Sequence, residues 1–357
     1  MRKLRSTFWR TGAFLLALSF LAGCRAQAPE ESSVSEAPPE STASEVSESS
    51  SAPSVEVRAP EATSPLSGLP CTKEEAARRP VAVMLDNSFD ARPQAGVSEA
   101  EIVYEALAEG DVTRYMALFV KNQPTIGPVR SARPYYLDRA LEWHALYARF
   151  GGSSEADARI SNEGVADING IVLDGSVYER VGYKYAPHNA YTTVEAVRSY
   201  AKDVGYDEFV ETPQYRFAQP QDPSGSCTSF TVSHGDDEER GYTFDAEKKT
   251  YTRTRNGVEE IDENTEEPVL VSNVIVQYCE SWVQEDGVHR SFAQDGEGIG
   301  RFFHNGKDEA ITWRKDGYGE LTRYYDANGE EIALVPGLTW IHVIDPEVGG
   351  VSVEDEE

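Results

Sequence analysis

Apolar residues in the first half of the folded region occur in short runs separated by longer mixed segments. Three of these runs, at residues 81–85, 100–106 and 115–120, have the length and apolar content of buried strands. Asp86, Glu105 and Asp174 follow or lie within strand-like runs, where ligand sites often form in α/β sheets, although a role as loop caps or arginine partners is favoured for all three. The runs therefore predict three strands.

Two segments of the same half have helical patterns instead. Residues 135–147 place leucine and alanine at helical spacing directly after Pro134, a residue that is accepted in the first turn of a helix. A second helix is expected to begin at a cap formed by Thr192 or Thr193 and to run to about Lys202. Strands mixed with helices are typical of a layered α/β or α+β arrangement.

From about residue 225 the pattern changes to alternating strands joined by glycine turns. Asparagine-glycine pairs tolerate the positive φ angles that tight hairpins require. Such pairs occur at residues 256–257, 305–306 and 328–329. Apolar runs at 269–278 and 338–344 predict further strands, so this half is expected to be mainly antiparallel β-sheet. The sequence leaves open whether the two halves share one sheet.

These patterns predict an α+β fold with a layered sheet-and-helix N-terminal part and a mainly antiparallel β C-terminal part. The N-terminal part is expected to span residues 66–220 and the C-terminal part residues 225–346. Residues 347–357 form an acidic tail that is expected to fray, because chain ends are poorly ordered unless they are tied down.

The first 24 residues have the layout of a bacterial lipoprotein signal peptide. Basic residues precede an apolar run that ends at Leu21, Ala22, Gly23 and Cys24. This tetrapeptide matches the lipobox, in which small residues admit the signal peptidase and the cysteine thiol receives a diacylglyceryl group. Cys24 is therefore the expected lipid-attachment residue of a protein anchored to the extracytoplasmic face of the bacterial cell membrane. The alternative is an uncleaved signal anchor in which Cys24 is incidental.

Residues 25–65 predict a disordered tether between the anchor and the folded region. The segment contains no Phe, Tyr, Trp, Leu or Ile, so it cannot bury enough apolar area to offset the entropy of ordering. Its excess of acidic residues and its scattered prolines favour an extended chain. A flexible coil of this length reaches about 35 Å, which would hold the folded region away from the membrane.

The charge of the whole chain excludes one class of partner. There are 61 acidic residues against 33 Lys and Arg, which gives a formal net charge of -28. This charge repels a phosphate backbone, so no nucleic-acid partner is expected. The mean hydropathy is -0.49, and a run close to membrane length occurs only at the N-terminus, which argues against a polytopic membrane protein.

Cysteine and histidine positions give no sign of a metal centre, and no cofactor is expected. Three cysteines remain after Cys24, and a Cys227–Cys279 disulfide and three separate thiols are favoured about equally. No cysteines have the paired short spacing of a zinc site. The four histidines of the β-rich half are scattered without ligand spacing, at His234, His289, His304 and His342.

Short motifs along both halves resemble a known family. They include Arg79-Pro80-Val81-Ala82-Val83-Met84, Gly127-Pro128-Val129-Arg130, Ala186-Pro187-His188-Asn189, Asn273-Val274-Ile275-Val276, Ile311-Thr312-Trp313 and Pro336-Gly337-Leu338-Thr339-Trp340-Ile341. Together they resemble the YerB-like bacterial lipoproteins, a two-part domain of unknown function. The resemblance implies an α+β fold with packed sheet layers, a lipoprotein location and an association with the cell envelope. The family has no established catalytic residues to carry over.

Seven residues of the N-terminal half are candidates for ligand binding. They are Arg92, Glu105, Arg114, Arg130, Arg133, His188 and Asn189. Arginine supplies a planar fork of donors for carboxylate or phosphate, and a histidine in a turn is suited to act as an acid, base or donor. The structural alternative is that the arginines pair with Glu105, Glu109 and Asp138 to hold loops, and that His188 forms a loop-fixing hydrogen bond.

These observations favour a lipid-anchored, non-catalytic binding or accessory module that engages a cell-envelope protein or wall polymer. No residue is assigned a catalytic role. One alternative is a hydrolase or transferase acting on cell-wall glycan or peptide, with His188 and an acid such as Glu105. Another alternative is a binder of a small anionic ligand, which would require a locally positive pocket in an acidic protein.

Overall fold

The computed structural model describes residues 61–219 and 221–354. The expected signal peptide, Cys24 and most of the expected tether lie outside the described residues. Strands dominate the described part of the chain, and helices are fewer. The α+β fold is confirmed, with a β-rich C-terminal part.

The helices among residues 61–219 and 221–354 are numbered in chain order. They are α1 Lys73–Ala76, α2 Pro134–Glu142, α3 Ser154–Glu163, α4 Gly170–Leu173 and α5 Val194–Asp203, with a 3₁₀ turn at Phe89–Ala91. None of them has the length and hydropathy needed to cross a bilayer.

The strands are numbered in the same way. Up to residue 219 they are β1 Ala62–Thr63, β2 Pro70–Cys71, β3 Val81–Asp86, β4 Ile102–Glu109, β5 Val112–Phe119, β6 Thr125–Ile126, β7 Leu146–Arg149, β8 Asp167–Asn169, β9 Glu179–Arg180, β10 Ala190–Thr193 and β11 Arg216–Phe217. Beyond it they are β12 Ser229–Ser233, β13 Glu239–Asp245, β14 Thr250–Arg255, β15 Val258–Glu259, β16 Leu270–Val271, β17 Asn273–Tyr278, β18 Ser281–Val283, β19 Arg290–Phe292, β20 Gly296–His304, β21 Lys307–Lys315, β22 Arg323–Tyr325, β23 Ala333–Leu334, β24 Thr339–Ile344 and β25 Gly350–Val353.

A ten-stranded mixed sheet runs through both halves of the chain. Its order is β22-β21-β20-β17-β24-β4-β5-β3-β7-β8. Strand β24 lies between β17 and β4 and pairs with both in parallel. Because β4 belongs to the N-terminal half and β17 and β24 belong to the C-terminal half, the two halves share one sheet.

Alternation along β3 divides the core between the two faces of this sheet. Val81, Val83 and Leu85 lie on one face, and Ala82 and Met84 lie on the other. All of β3 is buried, as expected for a strand covered on both sides. Full burial of each valine or leucine side chain stabilises the fold by about 1.5–3 kcal/mol.

Two different layers cover the two faces. Helix α2 packs on the face of Met84 through Tyr136, Leu137 and Ala140. A second sheet, with the order β15-β14-β13-β12-β25 and β16 paired to β14, packs on the face of Val83 together with α5.

Helix α2 is shorter than the helix predicted for residues 135–147. Pro134 occupies its first turn, but the helix ends at Glu142, and His144 has a φ of 51°. The next residues form β7, which pairs in parallel with β3. The apolar residues Leu146 and Tyr147 are compatible with a helix or with a strand, and pairing with β3 favours the strand. His144 therefore lies in a connection and not within the helix.

Other local signals are confirmed. Thr193 caps α5, and its hydroxyl accepts a hydrogen bond of 2.9 Å from the backbone N–H of Ala196. Asn305 and Gly306 both have positive φ, at 47° and 71°, and join β20 to β21. The turn after β14 has the same Asn-Gly form, with φ of 49° and 77°. These turns match the right-handed twist of the strands that they join.

The acidic tail contributes a strand and does not simply fray. Strand β25 pairs with β12, with Val351 opposite Val232 and Val353 opposite Phe230. Both valines pack against the core between the sheets, which ties this end of the chain down. The acidic composition of residues 347–357 predicted a frayed end, but Val351 and Val353 alternate along the chain as the core-facing residues of a strand do.

The folded region also begins earlier than residue 66. Strand β1 pairs with β2, and Ser64 and Ser67 both donate hydrogen bonds to the carboxylate of Glu101. The other oxygen of Glu101 accepts from the backbone N–H groups of Val120 and Lys121, at 2.5 and 3.0 Å. One buried carboxylate therefore fastens the entry of the chain to the ends of β4 and β5.

The cysteines of the described part of the chain are separate thiols. Cys71, Cys227 and Cys279 are all buried and form no disulfide with one another. Burial raises the pKa of Cys279 to about 11, so its thiol stays protonated at neutral pH and is a poor nucleophile. Of the two alternatives left open by the sequence, the structure contains the thiols.

Candidate functional site

The site begins where β3 ends, at Asp86. One oxygen of its buried carboxylate accepts hydrogen bonds from the backbone N–H and the hydroxyl of Ser88, at 3.0 and 2.8 Å. The other oxygen lies 2.8 Å from Nδ1 of His188 and 3.2 Å from Nε of Arg130. Burial alone would raise the pKa of Asp86, but these donors and the Arg130 charge hold it below its ordinary value. Asp86 is therefore a carboxylate at neutral pH.

His188 reaches Asp86 from the loop that precedes β10. Its Nδ1 also lies 3.0 Å from the hydroxyl of Ser88, so three polar groups converge at the end of β3. The opposite ring nitrogen, Nε2, has no hydrogen-bond partner among residues 61–219 and 221–354, and the ring lines a cleft. Asn189 holds the loop in place, because its side-chain oxygen accepts a 2.8 Å hydrogen bond from Arg180.

The cleft has a volume of about 980 Å³, which is in the range of small-molecule sites. Its rim carries apolar side chains that are unusually open to solvent. Phe89 is 84% exposed, Tyr183 68%, Tyr185 90% and Val258 70%. Exposed apolar groups clustered around a concave surface mark a place where another molecule binds. No candidate from the sequence analysis pointed to this rim.

The cations in the walls of the cleft are neutralised by carboxylates. Arg92 forms two hydrogen bonds with Glu238, at 2.6 and 2.7 Å. Arg255 lies 2.5 Å from Glu238, and a second oxygen at 2.8 Å comes from Glu260. Lys184 donates to Glu263, to Tyr191 and to two backbone carbonyls. Three cations line the cleft together with four carboxylates, which come from Asp90, Glu238, Glu259 and Glu260.

Two of the candidate arginines lie away from this cleft. Arg114 and Arg133 both pair with Glu109, and the Arg133 distance is 2.8 Å. Arg114 also donates to the backbone carbonyl of Ser131 at 2.7 Å. Burial and the neighbouring Arg133 lower the pKa of Arg114 to about 10, while Glu109 opposes that change. This arrangement matches the structural alternative, in which arginines hold loops through ion pairs.

Glu105 lies between the two sheets and is not among the residues that line the cleft. It is fully buried and accepts hydrogen bonds from Arg240 at 3.0 Å, Arg253 at 2.7 Å, Thr113 at 2.9 Å and Trp340 at 3.0 Å. Burial alone would raise its pKa, but Arg253 and Arg240 hold that pKa well below its ordinary value. Glu105 does not contact His188, so the pairing of these two residues considered in the sequence analysis is wrong.

The fold brings together two histidines that the sequence separates. His234 lies 2.9 Å from His342, and His342 lies 2.7 Å from the Tyr242 hydroxyl. With Glu105 the two rings place three potential metal-binding atoms within 4.8 Å of one another. The lone pairs of Glu105 are already occupied by two guanidinium groups and two other donors, so this donor set does not suit a metal ion.

The seven candidate residues therefore fall into two groups in the structure. Arg92, Arg130 and His188 lie at the cleft or beside Asp86, and Asn189 supports their loop. Glu105, Arg114 and Arg133 belong to buried ion-pair networks. The aromatic rim was missed, although one signal was present in the sequence: Tyr183 and Tyr185 lie in a short polar stretch between Gly182 and Pro187, where a loop is expected to expose them.

Comparison with known proteins agrees with the resemblance noted from the motifs. Residues 66–207 match the family described as "Protein of unknown function (DUF3048) N-terminal domain", and residues 230–341 match the corresponding C-terminal domain. A Bacillus subtilis (strain 168) protein named "Putative lipoprotein YerB" is 33% identical over 306 residues, which are 84% of this chain and 91% of that protein. The crystal structure of YerB from Bacillus subtilis has a TM-score of 0.75 at 31% identity and covers 81% of this chain and 99% of that one. The chain therefore belongs to the DUF3048 family of YerB-like proteins.

Proposed function

We propose that this protein is a lipid-anchored, extracytoplasmic binding module whose cleft holds a segment of cell-wall polymer. The observation that carries the proposal is the rim of Phe89, Tyr183, Tyr185 and Val258 around a single cleft. Leaving such side chains in water is unfavourable, so their clustering is best explained by a ligand that covers them.

The charges of the cleft favour a largely uncharged ligand over a small anion. Each cation in the walls already has a carboxylate partner, and the carboxylates are in excess. An anion would have to displace these carboxylates within a protein of net charge -28. Sugar rings have apolar faces that stack on tyrosine and phenylalanine, and their hydroxyls hydrogen-bond to side chains that are already paired. A glycan therefore fits these walls better than a phosphate or a small carboxylate does.

The size of the cleft supports a polymer segment over a protein partner. A volume of about 980 Å³ accommodates a few sugar units. A protein partner needs a contact surface of about 800 Å² on each side, which is broader than a cleft of this kind. The expected anchor at Cys24 and the name of the Bacillus subtilis relative support a position at the membrane, from which the tether would let the cleft reach the wall.

The first prediction tests this proposal by co-sedimentation with purified cell-wall sacculi. Replacing Phe89 and Tyr185 together by alanine is expected to weaken binding at least about tenfold, because the most exposed stacking surfaces are lost. Both side chains are mostly in solvent, so the thermal unfolding temperature should stay the same.

The matched control is Trp282→Ala. Trp282 is a half-exposed aromatic residue on β18 and does not line the cleft. Equal binding by the parent protein, the double variant and the control would contradict the proposal, as would no binding of the parent protein to sacculi.

A further inference from the structure

The cleft contains a histidine whose two ring nitrogens have different surroundings. Nδ1 of His188 faces the buried carboxylate of Asp86, and Nε2 has no partner in the described part of the chain. A carboxylate only accepts hydrogen bonds, so Nδ1 carries a proton, and in the neutral form of the ring the lone pair lies on Nε2. The protein therefore orients the imidazole with Nε2 available to a ligand in the cleft.

The surroundings of Asp86 maintain this arrangement. Ser88 supplies two hydrogen bonds to one oxygen of Asp86, and Arg130 lies beside the other oxygen. These contacts fix the carboxylate as an acceptor that also stabilises a positive charge on the ring when Nε2 takes up a proton. A carboxylate that orients and supports a histidine in this way is the usual partner of a histidine general base.

We propose that His188 is the general base of a hydrolytic reaction in this cleft, in which water attacks the acyl carbon of an ester or amide carried by the bound wall polymer. This inference rests on the proposed function, because it requires the polymer to occupy the cleft. In this reaction the carboxylate that assists His188 is Asp86 and not Glu105.

The geometry selects water as the nucleophile. The Ser88 hydroxyl lies 3.0 Å from Nδ1, on the side of the ring that already faces Asp86, and donates to Asp86. A serine nucleophile would have to deliver its proton to the basic nitrogen, Nε2. No serine, threonine or cysteine is among the residues that line the cleft, whereas solvent reaches it directly.

The reaction can be written with every atom accounted for. Nε2 of His188 accepts a proton from water while the water oxygen bonds to the acyl carbon. The tetrahedral intermediate then loses its alcohol or amine group, which takes the proton back from Nε2 as the carbon–oxygen or carbon–nitrogen bond breaks. The products are a carboxylic acid and a free hydroxyl or amino group, and His188 returns to its neutral form.

The second prediction is tested on purified sacculi with two product assays, one for new amino groups and one for released carboxylic acid. Amide hydrolysis gives both products, whereas ester hydrolysis releases carboxylic acid without new amino groups. The parent protein is expected to release carboxylic acid, and His188→Gln is expected to lower the rate at least about a hundredfold, within the usual range for general-base catalysis. Binding to sacculi should be retained, because the stacking rim is unchanged.

Asp86 is a positioning residue, and Asp86→Asn tests that role. The variant is expected to lower kcat while KM stays within about twofold, because the amide no longer stabilises the charge that forms on His188 in the transition state and the stacking rim that binds the polymer is unchanged. A merely structural role would lower the unfolding temperature and would not lower kcat selectively.

The control is His289→Gln. His289 forms a similar pair with Asp286, with 2.5 Å between Nδ1 and Oδ2, but lies outside the cleft. This variant should keep full activity. Sacculus binding by the parent protein without either product, or undiminished turnover by His188→Gln, overturns the inference and leaves the proposed function standing. Absence of binding contradicts the proposed function itself.

Discussion

At the scale of single residues, the most tightly held group is Glu105. Its carboxylate joins β4 to the second sheet through Arg240 and Arg253, and to β24 through Trp340. Beside it, His234 and His342 are fully buried. Burial lowers the pKa of His234 to about 3, and it lowers that of His342 as well. Both rings are therefore neutral in the folded protein at pH 7.

The third prediction concerns the pH dependence that these rings impose. A histidine whose folded pKa lies below its unfolded value gives stability at high pH that is lost as the pH falls through the unfolded value, here 6.5. The His234 ring is expected to lower the free energy of unfolding by about 1–2 kcal/mol between about pH 6.5 and pH 5, and the His342 ring is expected to act in the same direction. Urea unfolding at several pH values measures this change.

The comparison variant is His234→Gln, which removes one of the titrating rings. The variant should be less stable at pH 7 because a buried hydrogen bond is lost. Its free energy of unfolding should also fall less between pH 7 and pH 5 than that of the parent protein. If the free energy of unfolding falls equally with pH in both proteins, His234 does not remain neutral in the folded state.

At the scale of secondary-structure elements, β25 shows how a short edge strand completes a layer. Val351 and Val353 lie opposite Val232 and Phe230 and extend the second sheet by one strand. Without them the inner face of β12 would be open to water at its edge. The element is short, but it ties the end of the chain to the core between the sheets.

The fourth prediction is that a chain ending at residue 346 is less stable than the full chain. The loss of two partly buried valines and one strand ladder is expected to lower the free energy of unfolding by about 1–3 kcal/mol, measured in urea. Removal of residues 355–357 alone, which lie beyond β25, serves as the control and should have no effect. Equal stability of all three chains would mean that β25 contributes nothing to the fold.

Local patterns were sufficient to predict many of these elements. The apolar run at 81–85 became β3, Thr193 became the cap of α5, and Asn305-Gly306 became a hairpin turn, because each depends on neighbours in the sequence. The boundary between α2 and β7 was wrong, since the pairing of β7 with β3 overrides the helical spacing.

Contacts across long stretches of sequence explain what could not be predicted at the site. Asp86 and His188 are separated by 102 positions, and His234 and His342 by 108. Each residue type was noted for its chemistry, but no local pattern indicates which partner it meets. Glu105 was assigned to ligand binding for the same reason. Its partners Arg240 and Arg253 come from the other half of the chain, so the buried network could not be predicted from the residues around Glu105.

At the scale of the whole molecule, the parallel contact between β4 and β24 makes the two halves interdependent. Trp340 and Ile341 of β24 pair with Val103 and Tyr104 of β4 and are fully buried or nearly so. Separation of the halves would expose these side chains and leave two sheet edges unpaired. The two matched family segments are therefore parts of one folding unit.

The fifth prediction is tested with a protease site placed in the connection between β11 and β12. After cleavage the two fragments are expected to co-elute in gel filtration and to separate only in denaturant, because the shared sheet holds them together. Each half produced alone is expected to aggregate. Two soluble, folded fragments that elute apart would contradict this interdependence.

The hydrogen bonds to Glu101 have a mechanical consequence in the proposed lipid-anchored protein. Force applied through the residues before Ala62 would reach β1 first and then Ser64, whose hydroxyl donates a hydrogen bond to Glu101. The same carboxylate accepts hydrogen bonds from Val120 and Lys121 just after β5, so the load would pass into the end of this strand. Strand β5 pairs with β3 so that Phe119 lies opposite Val81 and Arg114 opposite Asp86, and the load would therefore enter the sheet at the end remote from the His188 site.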